Sequence, residues 1–175
     1  MNTNRPEYVS AALGIVLDYR TCEFTTRFRD GSPQTWPVSA QLLHDGRFLL
    51  CTSIGLPQKA FNIRRDPKVS MLFSEPVGSG ITQPGAVLIQ GEATAEDRIV
   101  SDMTATPELA ALNETVIARQ PSSKLMSSWI GRRVFYFYYM RILIYVTPHH
   151  VFYWPTRDVA RAPEQLELDG LRGVV

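Results

Sequence analysis

Residues 51–59 contain the residue types that could bind an anion. Thr52 and Ser53 end an apolar stretch with two hydroxyl groups, Gly55 lies in a short loop, and Pro57 stands where a helix would begin. Proline is favoured at the first helical position, and the free N–H groups of a helix N-terminus bind phosphate. The pattern therefore indicates a phosphate site where a strand leads into a helix.

Lys59 would lie in the first turn of that helix. The positive end of the helix dipole disfavours a cation there by ~0.3–1 kcal/mol. A bound anion would reverse the sign, since each charge-assisted hydrogen bond contributes ~1.5–3 kcal/mol. The alternative is a solvated surface lysine, and spacing alone does not separate the two interpretations.

Two further features of the sequence have two interpretations each. Arg64 and Arg65 end the same helix, where a cation suits the dipole, although Arg64 could instead reach a phosphate tail. Trp36 is followed by Pro37, which removes a backbone donor and therefore belongs at a sheet edge or at an interruption. An interrupted strand would also offer backbone groups to the rim of a planar ligand, and both interpretations stay open.

The other candidate chemistries fail on spacing. The histidines His44, His149 and His150 do not have metal-ligand spacing with Cys22 and Cys51, so no metal site is predicted. The two cysteines are interpreted as free buried thiols. The chain has neither a Gly-x-Ser-x-Gly elbow nor a Walker loop. Because it has no self-contained catalytic set, we expect a cofactor to supply the reactive atom.

Composition places the chain among ordinary globular proteins. Of 175 residues, 45% are hydrophobic and 20% charged, and the formal net charge of +1 gives no reason to expect a nucleic-acid partner. The most apolar run, residues 134–146, is too short to span a bilayer and contains Arg141. The aromatic run 135–139 is interpreted as core or dimer interface. We expect a cytoplasmic protein that does not bind membranes.

The elements that must position these residues are mostly strands. Asp30-Gly31 and Asp45-Gly46 predict two successive hairpins, and therefore a three-stranded meander. Helical segments are predicted over residues 5–18, 58–65 and 96–129, the last broken near Pro121. Strands are predicted over residues 21–29, 34–43, 47–53, 68–75 and 86–95, with Gly91 at a bulge or close approach, and a final hairpin pairs 141–147 with 151–154.

These elements predict an α+β fold, an antiparallel split β-barrel with flanking helices. The expected division is a cofactor-binding barrel over residues 1–155 and a polar C-terminal tail over 156–175.

Several stretches together resemble the pyridoxamine 5′-phosphate oxidase-like, FMN-binding split-barrel family. They are residues 30–38, 45–50 and 59–70, followed by the strand 87–93. The resemblance covers residues 20–97, and residues 141–155 are similar to the family's closing strands. Its most specific part is the Lys-x-x-Asn-x-Arg-Arg-Asp-Pro sequence that begins at Lys59.

The resemblance implies a homodimer with two cofactor sites at the subunit interface. By position, Thr52, Ser53 and Lys59 would hold the cofactor phosphate. The remaining cofactor-binding candidates are Trp36, Pro37 and Val38 along the ring system, Arg64 and Gln90, with Arg141 or Trp154 from the second subunit.

Two departures narrow the expected activity. Pro57-Gln58 stands where the vitamin B6 oxidases have Ser-Arg, and the chain ends without their Arg-x-x-Pro-like segment. The chain is more similar to the group whose members use FMN or the deazaflavin coenzyme F-420. The leading hypothesis is an oxidoreductase that transfers a hydride to or from a small, partly apolar substrate. The alternatives are a non-catalytic flavin or haem-like ligand carrier, and a dimer with a vestigial pocket.

Overall fold

The computed structural model describes residues 5–82, 84–119, 140–158 and 160–167. Within these ranges the chain forms three helices and one antiparallel sheet of eight strands. The helices are α1 (Pro6–Asp18), α2 (Gln58–Arg65) and α3 (Pro107–Arg119). The strands are β1 (Cys22–Arg27), β2 (Pro33–Val38), β3 (Gln41–Leu42), β4 (Phe48–Ser53), β5 (Lys68–Phe73), β6 (Ala86–Val100), β7 (Arg141–Trp154) and β8 (Glu164–Leu166).

The sheet curls because its two edges are joined by a very short connection. The strand order is β2-β1-β5-β6-β7-β4-β3, so β2 and β3 lie at opposite edges, yet β2 ends at Val38 and β3 begins at Gln41. Three peptide units span at most ~11 Å, which brings the edges together without pairing them. The predicted α+β split barrel is confirmed, and it is not a closed barrel.

The predicted three-stranded meander is wrong, although both hairpins are confirmed. β1 pairs with β2, and β3 pairs with β4, but the two hairpins lie on opposite sides of the sheet. The strand expected over 34–43 breaks at Ser39 and Ala40, where the Ser39 hydroxyl donates to the Arg20 carbonyl at 3.2 Å. Gly31 and Gly46, both at φ +84°, make the turns that the Asp-Gly pairs predict.

The main core fills the inside of the curled sheet. Its fully buried side chains include Phe24, Phe48, Met71 and Ile144, and α1 adds Ile15 from one side. Fully burying a side chain of this kind contributes about 1.5–3 kcal/mol. A second hydrophobic cluster on the outer face packs α3 against β4 and β7. Its buried members are Leu49, Val100, Leu109, Leu112 and Leu143.

The helix expected from residue 96 is wrong at its beginning. β6 continues to Val100 with a register shift between Ala95 and Ile99, and α3 begins only at Pro107. The polar residues 96–98 of the shifted stretch are partly or fully exposed, so the sequence there lacks the alternation of a regular strand. The rest of that helix beyond Arg119, and the aromatic run 135–139, lie outside the described residues.

The predicted closing hairpin is also wrong, since β7 is one strand of 14 residues. A register shift between Gln90 and Gly91 of β6 absorbs Pro148, which cannot donate a backbone hydrogen bond. The close approach expected at Gly91 is confirmed, because a Cβ atom there would lie 2.1 Å from the Thr147 carbonyl oxygen. Within the expected tail, β8 pairs with β7.

Both cysteines are free, as expected. Cys22 is fully buried and Cys51 half-buried, and burial raises the pKa of each thiol. In the described part of the chain, no helix has the length and apolar content needed to cross a bilayer.

Candidate functional site

Lys59 and Trp36 come together at the start of α2. Pro57 precedes the first turn of α2, which carries Lys59, while Trp36 lies on the edge strand β2 opposite Phe24 of β1. The Lys59 Nζ atom lies 4.9 Å from the centre of the Trp36 ring. An ammonium over an indole face is a favourable cation–π contact of about 0.5–2 kcal/mol. Two of the predicted site residues are therefore neighbours.

The Lys59 ammonium is half-buried and has no carboxylate partner among the described residues. Burial lowers the pKa of Lys59, because the charged form loses water, and the nearby Cys51 thiol acts in the opposite direction. A desolvated cation is stabilised by a paired anion. The Lys59 side chain is therefore half-buried against Trp36 rather than fully solvated, and a phosphate partner for its ammonium stays a prediction.

Thr52 and Ser53 shape the loop that leads into α2. Both are buried at the end of β4. The Thr52 hydroxyl donates to the Leu56 carbonyl at 2.8 Å, and the Ser53 hydroxyl oxygen accepts from the Gly55 N–H at 3.2 Å. These bonds fix the direction in which the chain enters the helix, and a direct phosphate role for either hydroxyl stays a prediction.

Trp36, Pro37 and Val38 alternate along β2 as a strand requires. Trp36 is half-buried and Val38 buried, whereas Pro37 is exposed. Because successive side chains face opposite sides of a sheet, Trp36 and Val38 share a face and Pro37 does not. The sheet order places Pro37 on an edge strand, as one interpretation expected. Its contribution to a ligand rim stays a prediction.

Arg64 and Arg65 lie at the other end of α2, which is about 12 Å long. Arg64 pairs with the Asp97 carboxylate at 3.1 Å and donates to the Glu96 carbonyl. Arg65 donates to the Arg27 carbonyl. These contacts fasten the end of α2 to β1 and β6, and the structure does not bring Arg64 to Lys59.

The remaining candidates lie further away. Gln90 is exposed on β6 and lines a groove with the bulge of β7. Arg141 and Trp154 lie at opposite ends of β7, with Arg141 in register with Ser53 of β4. The Trp154 indole N–H donates to the Arg161 carbonyl at 3.1 Å. Among these three, the pairing with β4 places Arg141 beside the predicted phosphate loop.

Asn62, the asparagine of the Lys-x-x-Asn sequence, is a structurally central residue to which the sequence analysis assigned no role. Its fully buried side chain donates to the Thr26 hydroxyl at 2.9 Å and to the Gln34 side-chain oxygen at 3.2 Å. It accepts from Gln58 at 2.8 Å and from Arg65 at 3.2 Å. The signal was available in the sequence, because an amide between Ala60 and Ile63 lies on the apolar face of an eight-residue helix.

The described residues include no group of three or more His, Cys, Asp and Glu side chains that could hold a metal ion. The Lys59 corner combines a cation, an aromatic ring and the N–H groups at the start of α2.

The chain matches no protein-family model and no curated protein. Solved structures do resemble it. A Clostridium acetobutylicum protein related to general stress protein 26, of the pyridoxinephosphate oxidase family, is 12% identical, with a TM-score of 0.57 over 95% of this chain and 99% of its own. A heme binding protein from Mycobacterium smegmatis is 18% identical (TM-score 0.59), with 95% of this chain and 60% of its own covered.

An F-420 reductase is 20% identical, with a TM-score of 0.51 over 78% of this chain and 92% of its own. At these identities the similarity to solved structures establishes only the fold. This fold agrees with the one that the sequence resemblance implied.

Proposed function

We propose, on the premise that this chain has the pyridoxamine 5′-phosphate oxidase-like split-barrel fold, that it binds FMN or coenzyme F-420 at the Lys59 corner as an oxidoreductase. The substrate is a small, partly apolar organic molecule that exchanges a hydride with the cofactor. Solved structures with the same fold include an F-420 reductase and a member of the pyridoxinephosphate oxidase family, which supports this class of cofactor.

The observation that carries the proposal is the half-buried Lys59 ammonium, 4.9 Å from the Trp36 ring. A phosphate-bearing cofactor with a planar ring needs a cation and an apolar face close together, and this corner has both. The N–H groups in the first turn of α2 carry partial positive charge in the same place. A neutral ligand would leave the desolvated lysine without an anion.

The bound group would supply the hydride chemistry, and the residues of this chain would bind and orient it. Lys59 would hold the phosphate, with Thr52 and Ser53 keeping the loop in position through their bonds to Leu56 and Gly55. Trp36 would exclude water from one face of the ring system. No acid or base from this chain is required for such a reaction.

A homodimer belongs to the proposal. Leu72, Leu88 and Phe152 are cross-strand neighbours on β5, β6 and β7, they are half-buried, and they lie outside the two described core clusters. An apolar row on the outer face of a sheet is stabilised by a covering surface. We take the covering surface to be a second copy, as the family resemblance implies.

Titration of the full chain with FMN, coenzyme F-420 and riboflavin tests the cofactor site. Lys59→Ala should weaken binding of the phosphate-bearing ligands about tenfold or more, because one charge-assisted bond of ~1.5–3 kcal/mol is lost. Riboflavin, which has no phosphate, should bind both proteins equally. Lys59→Arg is the matched control and should retain most of the affinity. Unchanged FMN and F-420 affinity in Lys59→Ala would exclude the phosphate assignment.

A hydride-transfer assay distinguishes the oxidoreductase hypothesis from the non-catalytic carrier hypothesis. The reduced cofactor-loaded protein should transfer a hydride to at least one member of a panel of quinones and unsaturated compounds. Tight cofactor binding with no reaction across the panel would favour the non-catalytic carrier.

A further inference from the structure

A groove of about 410 Å³ lies where β1, β5, β6 and β7 meet. Its volume is within the ~300–1,000 Å³ typical of small-molecule sites. Thr25, Ser70, Gln90 and His150 are successive cross-strand partners, so one polar row runs across all four strands on the outer face. The Lys59 corner does not include this groove, although Gln90, which lines it, was also predicted to contact the cofactor.

The β-bulge of β7 shapes the groove. Gln90 of β6 pairs with His150 of β7, and the next residue, Gly91, pairs with Pro148. His149 is therefore an extra residue in β7 that has no register partner in β6. In a regular strand, consecutive side chains face opposite sides, but here both His149 and His150 line the groove and are exposed. Bulges often re-aim side chains next to functional sites, and Gly91 lets the backbone of β6 approach Thr147 of β7 at this bulge.

Several polar side chains line this groove with few partners of their own. Among the described residues, the side chains of Lys68, Ser70, Gln90 and Glu92 form no hydrogen bond or ion pair, although the charge of Lys68 helps to lower the pKa of the Asp66 carboxyl. Arg27 differs, because its guanidinium is already paired with Asp66 at 3.2 Å. The groups available to a ligand are therefore one ammonium, one carboxylate, an amide, a hydroxyl and two imidazoles.

The charges decide which ligand fits. Lys68 and Glu92 are register partners on β5 and β6, yet no ion pair joins them. A simple anion beside Lys68 would be repelled by Glu92, and a simple cation beside Glu92 would be repelled by Lys68. A molecule with both a carboxylate and an ammonium group satisfies the two side chains at once, with Ser70 and Gln90 left for neutral polar groups.

We propose that this groove is a second ligand site, specific for a small zwitterionic molecule of the amino-acid type. It is separate from the Lys59 corner, because α2 lies between them: Lys59 is in its first turn, while Arg27 and Lys68 of the groove adjoin its last residue, Arg65. The proposal does not depend on cofactor binding.

The test follows the imidazole NMR signals of ¹⁵N-histidine-labelled full chain during titration with L-glutamine. Glutaramate lacks the ammonium group and 4-aminobutanamide lacks the carboxylate, so they are matched probes. L-glutamine should shift the His149 and His150 signals at concentrations about tenfold lower than either analogue, since one charge-assisted contact is missing from each. His44, at the turn between β3 and β4, should not respond.

Variants check the two charges. Lys68→Gln and Glu92→Gln should each weaken L-glutamine binding about tenfold. The combination of Lys68→Glu with Glu92→Lys should restore it, because a zwitterion can bind in the reverse direction. Lys59→Ala should leave it unchanged, which separates this site from the cofactor site. Equal binding of glutaramate and L-glutamine, tighter binding to Glu92→Gln, or no shift with any probe would overturn the proposal.

Discussion

The side-chain amide of Asn62 donates to the Thr26 hydroxyl at 2.9 Å, and this buried bond joins α2 to β1. The same amide group also contacts Gln34 of β2 and accepts from Gln58 and Arg65 of its own helix. One side chain therefore connects the helix that carries Lys59 to the strands that carry Thr26 and Trp36.

Asn62→Leu should lower the free energy of unfolding by about 2–3 kcal/mol, because buried polar partners such as Thr26 lose their hydrogen bonds. Urea unfolding with unchanged slope measures the loss. Thr26→Val added to Asn62→Leu should recover part of it, since replacing both members of a buried pair by apolar groups is close to neutral. If Asn62→Leu is as stable as the parent chain, the network does not stabilise the fold.

Trp36→Leu should weaken binding of FMN and of riboflavin by the same factor, about tenfold, because the ring contact is lost whether or not a phosphate is present. This differs from Lys59→Ala, for which only the phosphate-bearing ligand should lose affinity. Trp36→Phe retains an aromatic face and serves as the control. Fluorescence titration measures both ligands, and a loss confined to FMN would show that Trp36 acts only through Lys59.

Gly91→Ala should destabilise the chain by about 1–3 kcal/mol, as over-packing does. The new Cβ would lie 2.1 Å from the Thr147 carbonyl oxygen, and backbone cannot move aside as a side chain can. Gly14→Ala is the matched control, since nothing lies within 4 Å of its Cβ position in α1, and it should gain about 0.4–1 kcal/mol. Equal melting of the two variants would contradict the close approach.

Leu88→Arg should halve the molecular mass measured by light scattering, because a charge in the proposed dimer surface would be buried without a partner. Val77→Arg, at a position that is 72% exposed in a loop, is the control and should leave the mass unchanged. Circular dichroism should show that both variants are folded. A parent chain that is already monomeric at micromolar concentration would refute the homodimer.

Much of the local structure followed from short-range chemistry. Proline at Pro6 and Pro57 marks helix starts, the two Asp-Gly pairs mark turns, and Asp66-Pro67 ends α2, because a residue before proline leaves the helical region. α2 was predicted with the bounds that the structure has. Each of these signals acts within a few residues, so no knowledge of distant partners was needed.

The predicted secondary structure was wrong where residues distant in the sequence determine how a segment pairs. The predicted strand 34–43 is interrupted at Ser39, which bonds to the distant Arg20 carbonyl, and β3 lies at the opposite edge of the sheet. The bulge against Gly91 keeps β7 continuous through Pro148, where the sequence indicated a turn. Residues 96–100 extend β6 because β7 supplies a partner strand. Propensity cannot anticipate such pairings, since register is selected by burial on the facing strand.

The sequence by itself determined the short helix that begins after a hydroxyl-ended strand and carries Lys59 in its first turn, and it predicted a cofactor site there from the resemblance to flavin-binding split barrels. Only the tertiary structure decided which candidates meet. In the folded chain Trp36 contacts Lys59, whereas Arg64 forms an ion pair with Asp97. The physical reason is that the curled sheet brings β2 over the start of α2. Contacts between residues that are far apart in the sequence, such as Trp36 and Lys59, depend on the packing of the whole barrel.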